Sequence, residues 1–149
     1  MIDVTVSVDT AKFDKVLHDM PGALARAQRN ALEGIGSAVE EIARNSFTKD
    51  KSLRPSPWAP RKDKKKHALL LRSTDMWREI KHKVISDDTV AVGTKADYAK
   101  YHQHGTKKMP ARPFFPIDKA GNLTLYAQSE VARKIDEAYA KELRDLFRH

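Results

Sequence analysis

The chain has 149 residues, of which 40% are hydrophobic and 32% are charged, with a formal net charge of +8. This composition is typical of a soluble folded protein, and the length predicts one domain over residues 1–149. The absence of cysteine excludes disulfides, cysteine–zinc sites and thiol catalysis. No apolar run approaches the roughly 20 residues that span a bilayer, and the N-terminus does not resemble a secretory signal. We therefore expect a protein that is made and kept in the cytoplasm, without a membrane partner.

The positive charge is concentrated in two segments. Residues 49–67 contain eight Lys or Arg against Asp50 and Asp63, a surplus of six, and residues 95–112 contain five against Asp97, a surplus of four. The rest of the chain therefore has a formal charge of −2. Such clustered charge attracts either nucleic acid or an acidic protein face, and charge alone does not decide between them.

The first 48 residues predict a strand and two helices. Apolar residues at every second position of residues 2–8 are typical of a strand. Asp9 or Thr10 can cap a short helix. Pro21 suits the first turn of a second, longer helix, whose apolar stripe extends to about Thr48.

Two glycines, Gly34 and Gly36, interrupt the stripe of this longer helix. Each costs about 1 kcal/mol of helix propensity relative to alanine. We therefore expect them to mark either a kink or a close approach by another backbone.

The next segment, residues 49–67, contains the first basic surplus and three prolines and has no periodicity. It predicts a long, exposed and mobile loop, and loops of this length are usually functional or disordered. Beyond it, residues 68–71 are a short apolar run. Ser73 or Thr74 can then cap a short helix that buries three apolar side chains, Met76, Trp77 and Ile80.

The second half of the chain predicts a hairpin, short connecting segments and a long helix. Residues 81–86 and 89–93 are strand-like on either side of an Asp-Asp turn. Residues 96–104 predict a helical turn that ends at Gly105. A basic loop, an extended segment and a C-terminal amphipathic helix follow, at residues 107–112, 114–118 and 123–147.

Together these elements predict an α+β domain. A small antiparallel sheet is packed by a long helix from the N-terminal half and by the C-terminal helix, with a long basic loop.

The most distinctive stretch runs from residue 90 to residue 115. It contains, in order, Val92-Gly93-Thr94, Tyr98-Ala99, His102-Gln103, Gly105 and Pro110-Ala111-Arg112-Pro113-Phe114. Upstream stand Trp58-Ala59-Pro60 and Leu69-Leu70. In this order and spacing the sequence resembles the phage virion morphogenesis family, the tail-completion proteins of Mu-like and related phages and prophages. The chain has Thr74-Asp75 where the family often has Thr-Gly or Ser-Gly, so the resemblance does not determine the turn geometry at this position.

The resemblance implies a non-enzymatic structural protein that completes the tail so that it joins a filled head. It also implies a ring of identical copies, a hexamer if the ring follows tail symmetry, with tail-tube, terminator or head–tail connector proteins as partners. The protein would be in the bacterial host cytoplasm during assembly and then in the tail or neck of the virion. The motif residues would form the site: Trp58, Gly93, Tyr98, His102, Gln103, Gly105, Pro110, Arg112, Pro113 and Phe114.

Physical chemistry offers each motif residue a structural role. Gln103 can tie a loop to backbone groups, because its amide both donates and accepts. Pro110 and Pro113 stiffen the loop around Arg112, which suits a bidentate bond to a carboxylate in the same subunit or a neighbour. Tyr98 can bury its ring and keep its hydroxyl at the surface. We favour a motif that fixes the fold and the ring interface over one that recognises a partner directly.

The basic run within residues 49–67 has three interpretations: a solvated loop, a contact with an acidic face of a neighbouring tail or connector protein, or a contact with DNA in the neck. The candidate contact residues are Arg61, Lys62, Lys64, Lys65 and Lys66, whose charges suit nonspecific phosphate contacts. Trp58 is the only aromatic residue of the segment, so a base-stacking groove has little support.

Catalytic and metal sites have weaker support. His102 and His104 diverge on a helical turn and lack nearby carboxylates, so we expect no metal or cofactor, with His102 hydrogen-bonded and His104 exposed. Ser73, Asp75 and His102 have the residue types of a catalytic triad, but nothing in their spacing predicts that they lie together. Two rival functions stay open: a basic nucleic-acid-binding protein of a mobile element, and a toxin-like or hydrolytic enzyme.

Overall fold

A computed structural model describes residues 5, 10–48, 51–63 and 75–148. The elements are α1 (Thr10–Thr48), a 3-10 turn (Lys51–Leu53), α2 (Asp75–Arg78), β1 (Lys81–Ser86), β2 (Thr89–Gly93), α3 (Ala99–His104) and α4 (Leu125–Arg148). The predicted α+β class, with two long helices and a small antiparallel sheet, is confirmed. The expected strand over residues 2–8, the apolar run at 68–71 and the caps Ser73 and Thr74 lie outside the described residues, apart from Thr5.

Helix α1 is a single helix of 39 residues, where the sequence predicted two. Pro21 lies inside it, although an interior proline removes a backbone hydrogen bond and costs about 3 kcal/mol. Val16 before the proline and Ala23 and Ala27 after it are all buried, and α1 packs along α4. We infer that this continuous packing offsets the cost of the proline, so the prediction of a helix start at Pro21 was wrong.

The two glycines of the α1 stripe, Gly34 and Gly36, face neighbouring side chains rather than neighbouring backbone. A Cβ atom on Gly36 would lie 2.6 Å from the ring of His82 and 2.8 Å from Cγ2 of Val90, both in the hairpin. A Cβ atom on Gly34 would lie 3.4 Å from Cβ of Lys134 in α4. Gly36 therefore allows the hairpin to approach α1, whereas a Cβ atom at Gly34 would make an ordinary contact with α4.

The strands β1 and β2 pair antiparallel, as predicted, with Lys81 opposite Gly93 and an irregularity before Ser86. Along β1, the partly buried side chains alternate with the exposed ones. One face of the hairpin contacts α1, while Lys81 and Lys83 lie on the exposed face.

The core lies at the C-terminal end of α1. It contains buried side chains from α1, from α2 and the residues after it, from α3 and from the segment after α3: Ala43, Phe47, Met76, Ile80, Ala99 and Phe114. The predicted burial of Met76 and Ile80 is confirmed, since they are 2% and 0% exposed. In the described part of the chain, no helix combines the length and apolarity needed to cross a membrane.

Candidate functional site

The motif residues lie mainly in α3 and the segment that folds back from it, which we call the motif corner (residues 98–115). Gly105 ends α3 with φ of 74°, and its N–H donates to the Tyr101 carbonyl at 2.8 Å. A Cβ atom there would lie 2.8 Å from the backbone N of Ala111. The Arg112 N–H then donates to the His102 carbonyl at 2.7 Å. The reversal of the chain thus requires glycine at this position.

Gln103 holds the end of the motif corner to α3. Its Oε1 atom accepts hydrogen bonds from the N–H groups of Phe114 at 3.0 Å and Phe115 at 3.1 Å. This confirms the expectation that Gln103 ties a loop to the backbone. The Phe114 ring is fully buried and lies 5.2 Å from the Phe47 ring of α1. The Ser46 hydroxyl donates to the Ala43 carbonyl of its own helix at 2.7 Å and also lies 3.1 Å from the Phe114 carbonyl, so it shares its proton between α1 and the motif corner.

Trp58 attaches the upstream segment to the motif corner. Its Nε1 donates to the Pro113 carbonyl at 2.7 Å, and its ring meets that of Phe47 edge-on at 5.7 Å. On the Trp58 ring lies the guanidinium of Arg54, 3.5 Å from the ring centroid, and Arg54 Nε donates to the Ser46 carbonyl at 2.7 Å. Trp58 is therefore partly buried at the edge of the core.

Within the described part of its own subunit, Arg112 binds main-chain carbonyls where the sequence suggested a carboxylate, and a bond to a carboxylate of a neighbouring subunit stays a prediction. Its Nε donates to the Ala59 carbonyl at 3.1 Å and its Nη2 donates to the Pro60 carbonyl at 3.2 Å. Among the residues that the structure describes, the guanidinium thus bonds to carbonyls of its own subunit and not to a carboxylate. The physical reason is local: the irregular segment at Ala59-Pro60 leaves successive carbonyls without a ladder partner, and the guanidinium carries several donors.

Within residues 51–63 the expected exposure holds only in part. Seven of these residues are exposed, and six are partly buried, namely Leu53, Arg54, Pro55, Trp58, Ala59 and Arg61. Lys62 is exposed, and Arg61 pairs with Asp63 at 2.7 Å. Lys64, Lys65 and Lys66 lie outside the described residues, and mobility between residues 49 and 67 stays a prediction.

The His102 side chain is partly buried, and its Nδ1 atom is buried and has no hydrogen-bond partner among the residues that the structure describes. The prediction of a hydrogen-bonded His102 is therefore wrong at this atom. The ring lies edge-on to that of Tyr98 at 5.9 Å. Burial, assisted by the positive charge of Arg112, lowers the pKa of His102 below its ordinary value. The prediction of an exposed His104 is confirmed.

The metal and triad interpretations gain no support from this geometry. No group of three His, Asp or Glu residues that could hold a metal ion occurs within the described part of the chain. Ser73 and the Asp75 side chain lie outside it, so the triad with His102 cannot be assembled from the structure.

Three motif residues have weaker structural roles. Gly93 ends β2 without a positive φ, and no atom of the described residues lies within 4 Å of the position that a Cβ atom would take there, so the chain does not require glycine at this position. Pro110 is exposed. Tyr98 keeps 41% of its surface exposed and Tyr101 keeps 47%, so neither ring is fully buried. These side chains belong to the outer surface of the motif corner.

Sequence reasoning missed two residues that hold the site together. Ser46 is fully buried although it is polar, and its place in the last turns of a helix gives no sign of burial. Arg54 stands in a basic run, where charge suggests solvent exposure. The only signal for Arg54 is its distance of four residues from Trp58, which allows stacking of the guanidinium on the ring.

The fold and the motif corner together define a small α+β domain. Hydrogen bonds from side chains to the backbone hold its separate segments together. Three side chains, Gln103, Trp58 and Arg112, each bond to main-chain groups from another segment. The sequence matches the phage virion morphogenesis family over residues 8–137, and the chain belongs to that family. It therefore has a role in phage virion assembly. No curated protein and no solved structure is significantly similar to it.

Proposed function

We propose that this chain is a non-enzymatic subunit that completes the tail of a tailed phage or prophage and joins it to the filled head. The observation that carries the proposal is the family match over residues 8–137, which includes the motif corner. The protein would assemble in the host cytoplasm and remain in the tail or neck of the particle.

The geometry of the motif corner supports a role in association rather than in chemistry. Gln103 uses its acceptor oxygen on two backbone N–H groups, and Arg112 uses its guanidinium on two carbonyls. Groups engaged in this way hold a surface in a fixed shape. A fixed surface lowers the entropic cost of docking to another subunit, because less of the chain must be ordered on contact.

The mechanism would be ring formation followed by docking. Identical copies would meet through a head-to-tail interface that closes by rotation, with six copies if the ring follows tail symmetry. Tail-tube, terminator or head–tail connector proteins would be the partners. The native mass of the purified protein, alone and mixed with the tail-tube protein, tests this step. A monomer under both conditions would contradict the ring.

Particles made without the protein test the function itself. We expect electron microscopy of such a lysate to find filled heads separate from tails, and added wild-type protein to restore infectious particles. A Gln103→Ala variant should restore joining less well than Lys119→Ala, which changes an exposed side chain. Normal, infectious head–tail joints in particles that lack the polypeptide would overturn the proposal.

A further inference from the structure

The structure brings the described parts of the two basic segments, which are far apart in the sequence, into contact. Arg112 of the second segment donates to the Pro60 carbonyl of the first at 3.2 Å, and Trp58 donates to the Pro113 carbonyl at 2.7 Å. Lys62 follows two residues after this attachment. The described part of the first basic segment, which holds Lys51, Arg54, Arg61 and Lys62 against Asp63, is therefore adjacent in the fold to the second segment.

The outer side of the motif corner exposes cations and aromatic rings together. We define the basic surface by the exposed cationic and aromatic residues described in this region: Lys62, Lys95, Tyr98, Lys100, Tyr101, His104, Lys107 and Lys108. Two carboxylates in the same stretches, those of Asp63 and Asp97, are also exposed, so the lysines of the basic surface outnumber the exposed carboxylates by five to two. The Nζ atom of Lys100 lies 5.1 Å from the centroid of the Tyr101 ring. Lys107 and Lys108 occupy the tip of a tight turn between Thr106 and Met109.

We propose that this basic surface binds the phosphate backbone of double-stranded DNA. Duplex DNA carries about one negative charge per 1.7 Å of its axis, a density that suits several exposed lysines in one region of the fold. Lysine ammonium groups and tyrosine hydroxyls both donate hydrogen bonds to phosphate oxygens, and such contacts carry no sequence information. The binding would thus be independent of sequence. It goes beyond the proposed function, since tail completion does not require a contact with DNA.

The composition of the surface favours DNA over an acidic protein. The cores of protein interfaces are depleted of charged residues and lysine in particular, whereas this surface consists mostly of lysines. A second copy of the chain is also a poor electrostatic partner, because outside the two basic segments its formal charge is only −2.

Fluorescence anisotropy with a labelled 30-base-pair duplex of arbitrary sequence would test the proposal, at sodium chloride concentrations from 50 to 300 mM. We expect the logarithm of the association constant to fall linearly with the logarithm of salt. The double variant Lys107→Glu/Lys108→Glu should bind roughly tenfold or more weakly, and its salt slope should fall by about one unit per lysine. Lys62→Glu should also weaken binding, since Lys62 is exposed and lies two residues from the Pro60 carbonyl that Arg112 binds.

The matched control is Lys15→Glu/Arg144→Glu, which makes the same charge change at exposed positions near the N-terminal end of α1 and the C-terminal end of α4. It should retain most of the affinity. Thermal melting would check the fold of each variant, and Lys100→Glu replaces the double variant if that one is unfolded.

Three results would overturn the proposal. The first is no measurable binding at 50 mM salt, and the second is an equal loss in the control and the Lys107/Lys108 variant. The third is displacement of the duplex by polyglutamate as efficiently as by unlabelled DNA at equal charge, which would indicate an acidic protein instead. None of these results bears on head–tail joining, which the particles without the protein test separately.

Discussion

Trp58 and Pro113 are 55 positions apart in the sequence, and one hydrogen bond of 2.7 Å joins them, from Nε1 of the indole to the proline carbonyl. The bond connects the first basic segment to the motif corner at the edge of the core. It also places the indole ring against Phe47 of α1. Three parts of the chain thus meet at one side chain.

Replacing Trp58 by phenylalanine should remove this bond and keep most of the ring contact. We expect the free energy of unfolding to fall by about 1–2 kcal/mol, because the Pro113 carbonyl loses its partner in a partly buried site. Trp58→Ala should cost more, since the contact with Phe47 is lost as well. Urea denaturation of the three proteins measures both steps. Equal stability of wild type and Trp58→Phe would show that the bond contributes nothing.

Gln103→Ala should destabilise the motif corner more than an ordinary surface substitution. It leaves two N–H groups, those of Phe114 and Phe115, without their acceptor, and we expect a loss of about 2–4 kcal/mol. Gln128→Ala is the matched control, because that exposed amide donates only one hydrogen bond, to the Leu123 carbonyl. Gln103→Glu should recover much of the loss, since a carboxylate accepts from both groups.

Chemical denaturation of the four proteins gives the comparison. A Gln103→Ala protein no less stable than Gln128→Ala would mean that solvent replaces the acceptor at no cost.

The role of Gln103 was predictable from its chemistry, since an amide beside a loop has donors and an acceptor for backbone groups. The partner of Arg112 was not predictable, because the Ala59 and Pro60 carbonyls are more than 50 positions away and carry no sequence signal. The continuity of α1 through Pro21 also depends on a distant element. The packing of α1 along α4 favours one continuous helix, whereas local propensity alone favours a helix that starts at the proline.

Gly105→Ala and Gly93→Ala should have opposite effects, although both replace a motif glycine. At Gly105 the φ of 74° is unfavourable for alanine, and the added Cβ would lie 2.8 Å from the Ala111 nitrogen. We expect a loss of about 2 kcal/mol or more there. At Gly93 nothing lies within 4 Å, so alanine should be neutral or stabilise by up to about 1 kcal/mol. Melting temperatures of the two variants measure this difference, and a similar loss in both would contradict it.

His102 should make the stability of the domain depend on pH. Burial and the charge of Arg112 lower its pKa from the ordinary value of 6.5, so the folded protein disfavours the protonated ring. The unfolded chain therefore binds more protons as the pH falls below 6.5, and stability must decrease with falling pH. The contribution is fully present above 6.5 and is lost between that value and the lower pKa of the folded state.

Unfolding measured from pH 8 to pH 5 should show this decrease in the wild type and a smaller one in His102→Gln. The matched control, His104→Gln, should keep the wild-type dependence, since the His104 side chain is exposed. Protonation of the acidic groups whose pKa is lowered, such as Asp88 and Asp118, also decreases the stability of the folded protein. This decrease occurs only at more acidic pH, because the ordinary pKa of these groups is already 3.8. An unchanged pH dependence in His102→Gln would show that desolvation of this ring has no effect on folding.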